Sequence, residues 1–223
     1  MPAGTITSLR AQLNDSERVN VFIDGAFALG VSLTTISRAG LYVGKQISAD
    51  EYAQLEQVES GDKAFQAALR FIEARPRSSA EIRSRLERKE FAPEAITSAL
   101  ERLSRLGLID DAAFARLWVE HRQNSRPRST SALRDELRRK GIDTDVVTAI
   151  LNDQALIGDA AEQAMAVARG ALHKYRDAAD RNTFTRRMGG YLQRRGFGFE
   201  IIRPIIDQLW VEIHHTANHE EEQ

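Results

Sequence analysis

The chain contains no cysteine. Neither a disulfide framework nor a thiolate metal site can form, which fits a reducing compartment. No apolar run approaches the roughly 20 residues that a membrane-crossing helix needs. The opening MPAGTITSLR lacks the basic-then-apolar pattern of a secretion signal. The expectation is a cytoplasmic protein with no membrane-embedded part. The glycine patterns of nucleotide and acyl chemistry are also missing. There is no G-x-G-x-x-G after a strand, no G-x-x-x-x-G-K-[ST] and no G-x-S-x-G elbow, and the glycines of MGGYLQRRGFGFE assemble none of them. Neither an enzyme nor a cofactor is expected.

What the chain does have is charge gathered into blocks. Its 223 residues sum to a net charge of −1. Residues 1–69 carry 5 basic and 8 acidic side chains, residues 70–140 carry 17 and 11, and residues 141–168 carry none and 5. Residues 169–203 return to 9 basic against 3 acidic, and residues 204–223 have 5 acids with no Lys or Arg. Basic blocks favour nucleic acid or acidic protein surfaces. The plainer alternative is helices laced with Glu–Arg pairs three or four residues apart.

The first 45 or so residues differ from the rest. TITSLRAQL and VNVFIDGAFALGVSL are rich in β-branched and aromatic residues, with alternation at Val19, Val21 and Ile23. Asp24-Gly25 is a strong hairpin signal, and Asn14-Asp15-Ser16-Glu17 reads as an earlier turn. A small antiparallel three-stranded sheet is expected. Ser48-Ala-Asp-Glu51 then has the form of a capping box and opens a helix.

From about residue 62 the pattern is helical and repeats. Arg75-Pro76-Arg77-Ser78 returns as Arg126-Pro127-Arg128-Ser129, and 126 − 75 = 51. The same offset carries Ile82 and Leu86 onto Leu133 and Leu137, and Ile96 and Leu100 onto Val147 and Leu151. A third copy has Met188 and Leu192, then Ile202 and Ile206. Fixed-period similarity near 50 residues marks stacked supersecondary units. Each unit opens with one helix, carrying Phe65, Leu69, Phe71 and Ile72 in the first and Phe114, Leu117, Trp118 and Val119 in the second. Pro76 and Pro127 end that helix, and Ser78, Ser129 and Asn182 stand where helix two starts. Gly141 and Gly196 suit the left-handed residue after helix two, and Pro93 a first position in helix three. The fold expected is mainly α: three tandem three-helix repeats in an elongated curved array behind the small N-terminal sheet. The boundaries read as 1–47 for the β-rich region, 48–60 for a linking helix, 61–109, 110–157 and 158–213 for the repeats, and 214–223 for a polar acidic tail.

Few constellations suggest chemistry. Asp110-Asp111 lies between apolar runs, where capping of the next helix is the plain reading. His214, His215 and His219 cluster in a polar end, with an i,i+4 spacing that a metal can use, whereas His121 and His173 are isolated. No metal site is expected. What remains are basic clusters at matching places on helix two of each unit: Arg83, Arg85, Arg88 and Lys89; Arg134, Arg138, Arg139 and Lys140; Arg186, Arg187, Arg194 and Arg195. One or two cations per helix end complement the helix dipole. Three or four in each of three units suggest a binding surface, with Arg77 and Arg128 at its entry.

The segments RPRSSAEIRSRLERKEF, ALERLSRLGLIDDAAFARLWVEHR, RPRSTSALRDELRRKGIDTDVV and YLQRRGFGFEIIRPII resemble the RecX family of bacterial recombination regulators. The resemblance covers roughly residues 64–210, and RVNVFIDGAFALGVS is similar to the β-rich extension of longer members. It implies tandem three-helix repeats that bind the recombinase RecA and lodge in its filament on single-stranded DNA. There they restrain strand exchange, ATP hydrolysis and co-protease activity, with no catalytic residue. A monomer is expected, with weak binding to single- or double-stranded DNA left open. The family often has glycine after the first basic run, where this chain has Glu90. Either Glu90 adopts a left-handed conformation or the turn differs. A helix-turn-helix DNA-binding protein and a scaffold for another protein stand as rival readings.

Overall fold

A computed structural model describes residues 3–13 and 15–220, with side chains as far as His214. Two compact units are present, one reaching Ile109 and one starting at Asp110.

In the first unit, strands β1 (Gly4–Gln12), β2 (Asp15–Ile23) and β3 (Ala26–Ser32) form antiparallel neighbours. Asp24 and Gly25 both have positive φ, 47° and 83°, as the two-residue hairpin turn between β2 and β3 requires. Of the residues expected to form the earlier turn, Asp15, Ser16 and Glu17 already belong to β2, with Asp15 paired to Gln12, and Asn14 lies outside the described residues. The sheet has four strands rather than three. After the short helix α1 (Leu33–Arg38), the two-residue β4 (Gln46–Ile47) pairs with Gly4 and Thr5 to complete the order β3-β2-β1-β4. Two residues are too few to show alternation, so this strand had no sequence signal.

Ser48 caps α2 (Ala49–Ile72) with a complete capping box to Glu51. The sequence suggested a linking helix and then a separate repeat helix; α2 is both, unbroken for 24 residues. Its first half buries Tyr52 and Leu55 against Ile6, Val21, Val31 and Ile47 of the sheet. Its second half buries Ala64, Phe65 and Ala68 in the first repeat. Glu59 is 4% exposed, pairs with Arg18 of β2 and lies 3.3 Å from Lys63, so a buried ion pair ties sheet to helix. Arg18 also donates to Gly30 O and the Tyr52 hydroxyl to Ala28 O, which occupies outward carbonyls of edge strand β3.

The first repeat continues with α3 (Ser79–Glu87) and α4 (Pro93–Arg105). In the second unit, α5 (Asp111–Ser125), α6 (Thr130–Arg139) and α7 (Thr144–Leu151) form the second repeat. The short α8 (Gln154–Ile157) leads to the third: α9 (Ala160–Ala171), a 3₁₀ turn at Leu172–Lys174, α10 (Arg181–Gln193) and α11 (Phe199–Glu220). Each repeat has its own core. The aligned pairs Ile82/Leu86, Leu133/Leu137 and Met188/Leu192 are all 0% exposed. Leu117, grouped by sequence with Phe114 and Val119, instead faces solvent.

Helix two starts and stops by one rule three times. Ser78 and Ser129 accept from Glu81 N and Ala132 N. In the third repeat the cap is Asp180, not Asn182: its carboxylate accepts from Thr183 N at 2.8 Å, and the helix is already running at Arg181. At the other end Phe91, Ile142 and Phe197 donate back to Leu86, Leu137 and Leu192 at 3.1–3.3 Å. That bond encloses one left-handed residue. It is Gly141 or Gly196 in two repeats and Glu90, with φ 62°, in the first. The turn therefore keeps its geometry without glycine.

Candidate partner-binding surface

The apolar rows of α3, α6 and α10 face the cores just described, which leaves their cations on the opposite side. Arg83, Arg85, Arg88 and Lys89 are exposed on or just after α3. Arg138 and Arg139 are exposed at the end of α6, with Arg134 and Lys140 half-buried beside them. Arg186, Arg187 and Arg194 are exposed on α10, and Arg195 is half-buried.

Local Glu–Arg pairing does not neutralise these clusters. The ion pairs of this region run between elements: Arg75–Glu81, Arg102–Asp62, Arg116–Asp153, Arg122–Glu136 and Arg128–Glu136. Among the described residues, Arg83, Arg88, Lys89, Arg134, Arg138, Arg139 and Arg194 have no ion pair. Their charge is available to a partner.

Other candidates are seated in the fold. Arg77 lies 4.1 Å over the Phe71 ring, and Arg85 shares that ring at 5.7 Å. Burial, assisted by Arg75, pulls the Arg77 pKa below the usual arginine value. Arg187 sits 5.7 Å from Tyr175 and Arg195 4.1 Å from Tyr191. Arg128 reaches the Glu136 carboxylate at 3.4 Å and donates to Arg194 O at 3.2 Å. Lys140 lies 4.7 Å over Trp118. Arg75, at the start of the repeated tetrapeptide, holds Glu81 at 3.2 Å.

Sequence reasoning missed Glu136. This carboxylate is 8% exposed and accepts from the Trp118 indole at 2.9 Å and from Arg122 at 2.8 Å, with Arg128 on its other oxygen. Two cations share one buried anion, so the hub stays net positive beneath the α6 cluster. The only sequence trace was Trp118 four residues before Arg122, a spacing that stacks a cation on a ring.

Within the second unit the basic helices meet end to end. Ser129 N donates to Arg195 O at 3.0 Å, so the last turn of α10 abuts the first turn of α6. Gly196 makes the approach possible: a Cβ there stands 2.5 Å from Ser129 Oγ and 2.7 Å from Ala132 Cβ. Arg194 and Arg195 thereby join Arg128, and the cations continue along α6 through Arg134 to Arg138 and Arg139.

Asp110 proves to be a cap, accepting from Ala112 N and Ala113 N at 2.8 and 3.0 Å. His214 bonds Trp210 O through its ring, and the side chains of His215 and His219 lie outside the described residues. Among the described residues, no group of three or more His, Cys, Asp or Glu is placed to hold a metal. No described helix is long and apolar enough to cross a membrane.

Family models match the chain in four places. They are the regulatory protein RecX N-terminal domain over residues 4–48 and the RecX first, second and third three-helix domains over 64–103, 110–151 and 159–206. A regulatory protein RecX of Mycobacterium avium is 39% identical over 138 residues, 61% of this chain and 78% of that protein. The chain belongs to the RecX family. The regulatory protein RecX of Bacillus licheniformis is 29% identical over 203 residues, 91% of this chain and 76% of its own length. Among solved structures, a regulatory protein RecX superposes with TM-score 0.72 at 23% identity, over 91% of this chain and 98% of that one. RecX from Lactobacillus salivarius gives 0.57 at 23%, over 68% and 97%. The fold is thus the RecX fold, and the relatives are named as regulatory proteins.

Proposed function

We propose that this RecX-family chain regulates the recombinase RecA without catalysing a reaction itself. It does so by setting its basic helix-two clusters against the RecA filament formed on single-stranded DNA. Docked there, it restrains strand exchange, ATP hydrolysis and co-protease activity. The observation that carries the reading is the set of unpaired cations at equivalent places on α3, α6 and α10. A filament offers both acidic side chains and DNA phosphates to such a surface, and guanidinium groups suit both.

The rival helix-turn-helix reading needs helix three to enter a groove of duplex DNA by its N-terminal end. Each helix three opens with an acid at its second position: Glu94 in α4, Asp145 in α7 and Glu200 in α11. Carboxylates there repel phosphate, so sequence-specific duplex binding is disfavoured.

The test is RecA-catalysed ATP hydrolysis on single-stranded DNA with substoichiometric protein. Wild type is expected to inhibit, and Arg138→Glu/Arg139→Glu to need at least about tenfold more protein for the same effect. Unchanged inhibition by that variant sinks the role given to α6. Tight duplex binding with no effect on RecA favours the rival.

A further inference from the structure

The third repeat has a second surface of opposite charge. Helices α9 and α11 pack together through Ala164, Val167, Ala168, Ile202, Ile206 and Leu209. Beside that core a strip of each helix is left over, enclosing a groove of about 690 Å³. Ala161, Met165 and Ala166 form one wall and Ile201, Pro204 and Ile205 the other. Ala161, Ala166 and Pro204 are exposed, so the groove opens to solvent along about 12 Å of each helix, eight residues at the α-helical rise.

Its rim is acidic. Glu162 and Glu200 are exposed, line the groove and make no ion pair among the described residues. The one cation on the lining, Arg169, is occupied by Glu212 at 2.9 Å. Both free acids lie in the first turn of their helices, where the dipole offsets about half a charge each. An acid surplus remains: α9 contributes Glu162, from a stretch (141–168) that has no Lys or Arg, and α11 contributes Glu200. Pro204 adds an acceptor: it has no N–H to give the Glu200 carbonyl four residues earlier.

We infer that this groove docks a short amphipathic helix of a partner protein, one that presents leucine-sized side chains to Met165 and Ile201 and Lys or Arg to Glu162 and Glu200. A trough between two helices fits a third helix read at i, i+4 spacing. Its charge turns nucleic acid and acidic segments away. The inference does not depend on RecA, because the groove carries acid where the helix-two ends carry base.

The methionines supply a local readout. Met165 lines the groove, whereas Met188 is 0% exposed in the core of the same repeat. A synthetic twelve-residue amphipathic peptide of Leu and Lys is titrated into the full chain labelled at the methionine methyls. The Met165 resonance is expected to shift saturably while Met188 stays put, and a matched Leu–Glu peptide to leave both unmoved. Glu162→Lys/Glu200→Lys is expected to weaken binding at least tenfold. Ala166→Trp, which fills the trough and leaves the acids in place, is expected to do the same. Both sets alter exposed positions, and an unchanged thermal melt verifies the fold. A static Met165 resonance, equal binding of the Leu–Glu peptide, or full affinity in both folded variants overturns the inference.

Discussion

At the end of α3 the chain turns through Glu90 with φ 62°, where α6 and α10 use Gly141 at 72° and Gly196 at 89°. An L-residue in that region bears a clash between Cβ and the following carbonyl oxygen of roughly 1–2 kcal/mol. Glycine relieves it but loses more entropy on folding, about 0.5–1 kcal/mol. The difference predicts that Glu90→Gly stabilises the protein by about 0.5–1 kcal/mol, read as a higher urea midpoint at unchanged slope, while Glu90→Ala gains nothing. Glu136 is the opposite case, a side chain on which the fold depends. Glu136→Gln keeps the shape and an acceptor for Trp118 but leaves Arg122 and Arg128 without their anion. Their side chains are 26% and 35% exposed, so water recovers part of the loss. A cost of about 1–2 kcal/mol is expected, since charge-assisted hydrogen bonds become neutral ones. Equilibrium unfolding measures it, and a neutral outcome would show that the hub only positions charge.

Between elements, the junction of α10 with α6 rests on the missing Cβ of Gly196. Gly196→Ala combines left-handed strain with overlap on Ser129 and Ala132, and about 2–4 kcal/mol of destabilisation is expected. Gly107→Ala is the control: its φ is 66°, but nothing lies within 4 Å of the added Cβ, so about 1 kcal/mol of strain stands alone. Helix starts govern the acid response. Hydrogen bonds from Thr183 hold the Asp180 carboxyl below its ordinary value of 3.8, and Arg116 does so for Asp153. Depressed carboxylates contribute stability that is complete above their unfolded values and lost as pH falls through their folded ones. The melting temperature is therefore expected to drop below about pH 4, with a shallower drop for Asp180→Asn. How much of this the sequence revealed depended on whether a signal was local. Ile82, Leu133 and Met188 and their partners four residues on were legible as buried rows because helical spacing is a chain-local pattern. Asp24-Gly25 was legible because the turn demands those residues. The β4 pairing and the Glu136 hub were not, since they join residues 8 to 43 positions apart with no period. The cap at Asp180 was misplaced by two residues because Asp180 and Asn182 both suit the role. Arg77, Arg128 and Arg195 looked like the other cations in sequence. Only the rings and carboxylate beneath them set them apart from Arg138 and Arg139.

Over the whole chain, a net charge of −1 conceals basic clusters on α3, α6 and α10 and an acidic rim at Glu162 and Glu200. Because α3, α6 and α10 share one repeated pattern, the basic cluster is the same device used three times, and its effect on a polyanion adds up cation by cation. On the proposed reading, part of the affinity for a RecA filament is release of counterions from single-stranded DNA. Each phosphate contact then contributes about −0.7 to the slope of log affinity against log salt concentration. Removing two contacts with Arg138→Ala/Arg139→Ala is expected to flatten the slope by about 1.4 as well as weaken binding. Arg102→Ala, whose guanidinium is 2.8 Å from Asp62, is expected to leave the slope alone. Fluorescence anisotropy of labelled filaments between about 50 and 200 mM salt, the span over which such contacts dominate, resolves the two cases. A weaker affinity with an unchanged slope would mean that Arg138 and Arg139 meet carboxylates of the recombinase rather than DNA.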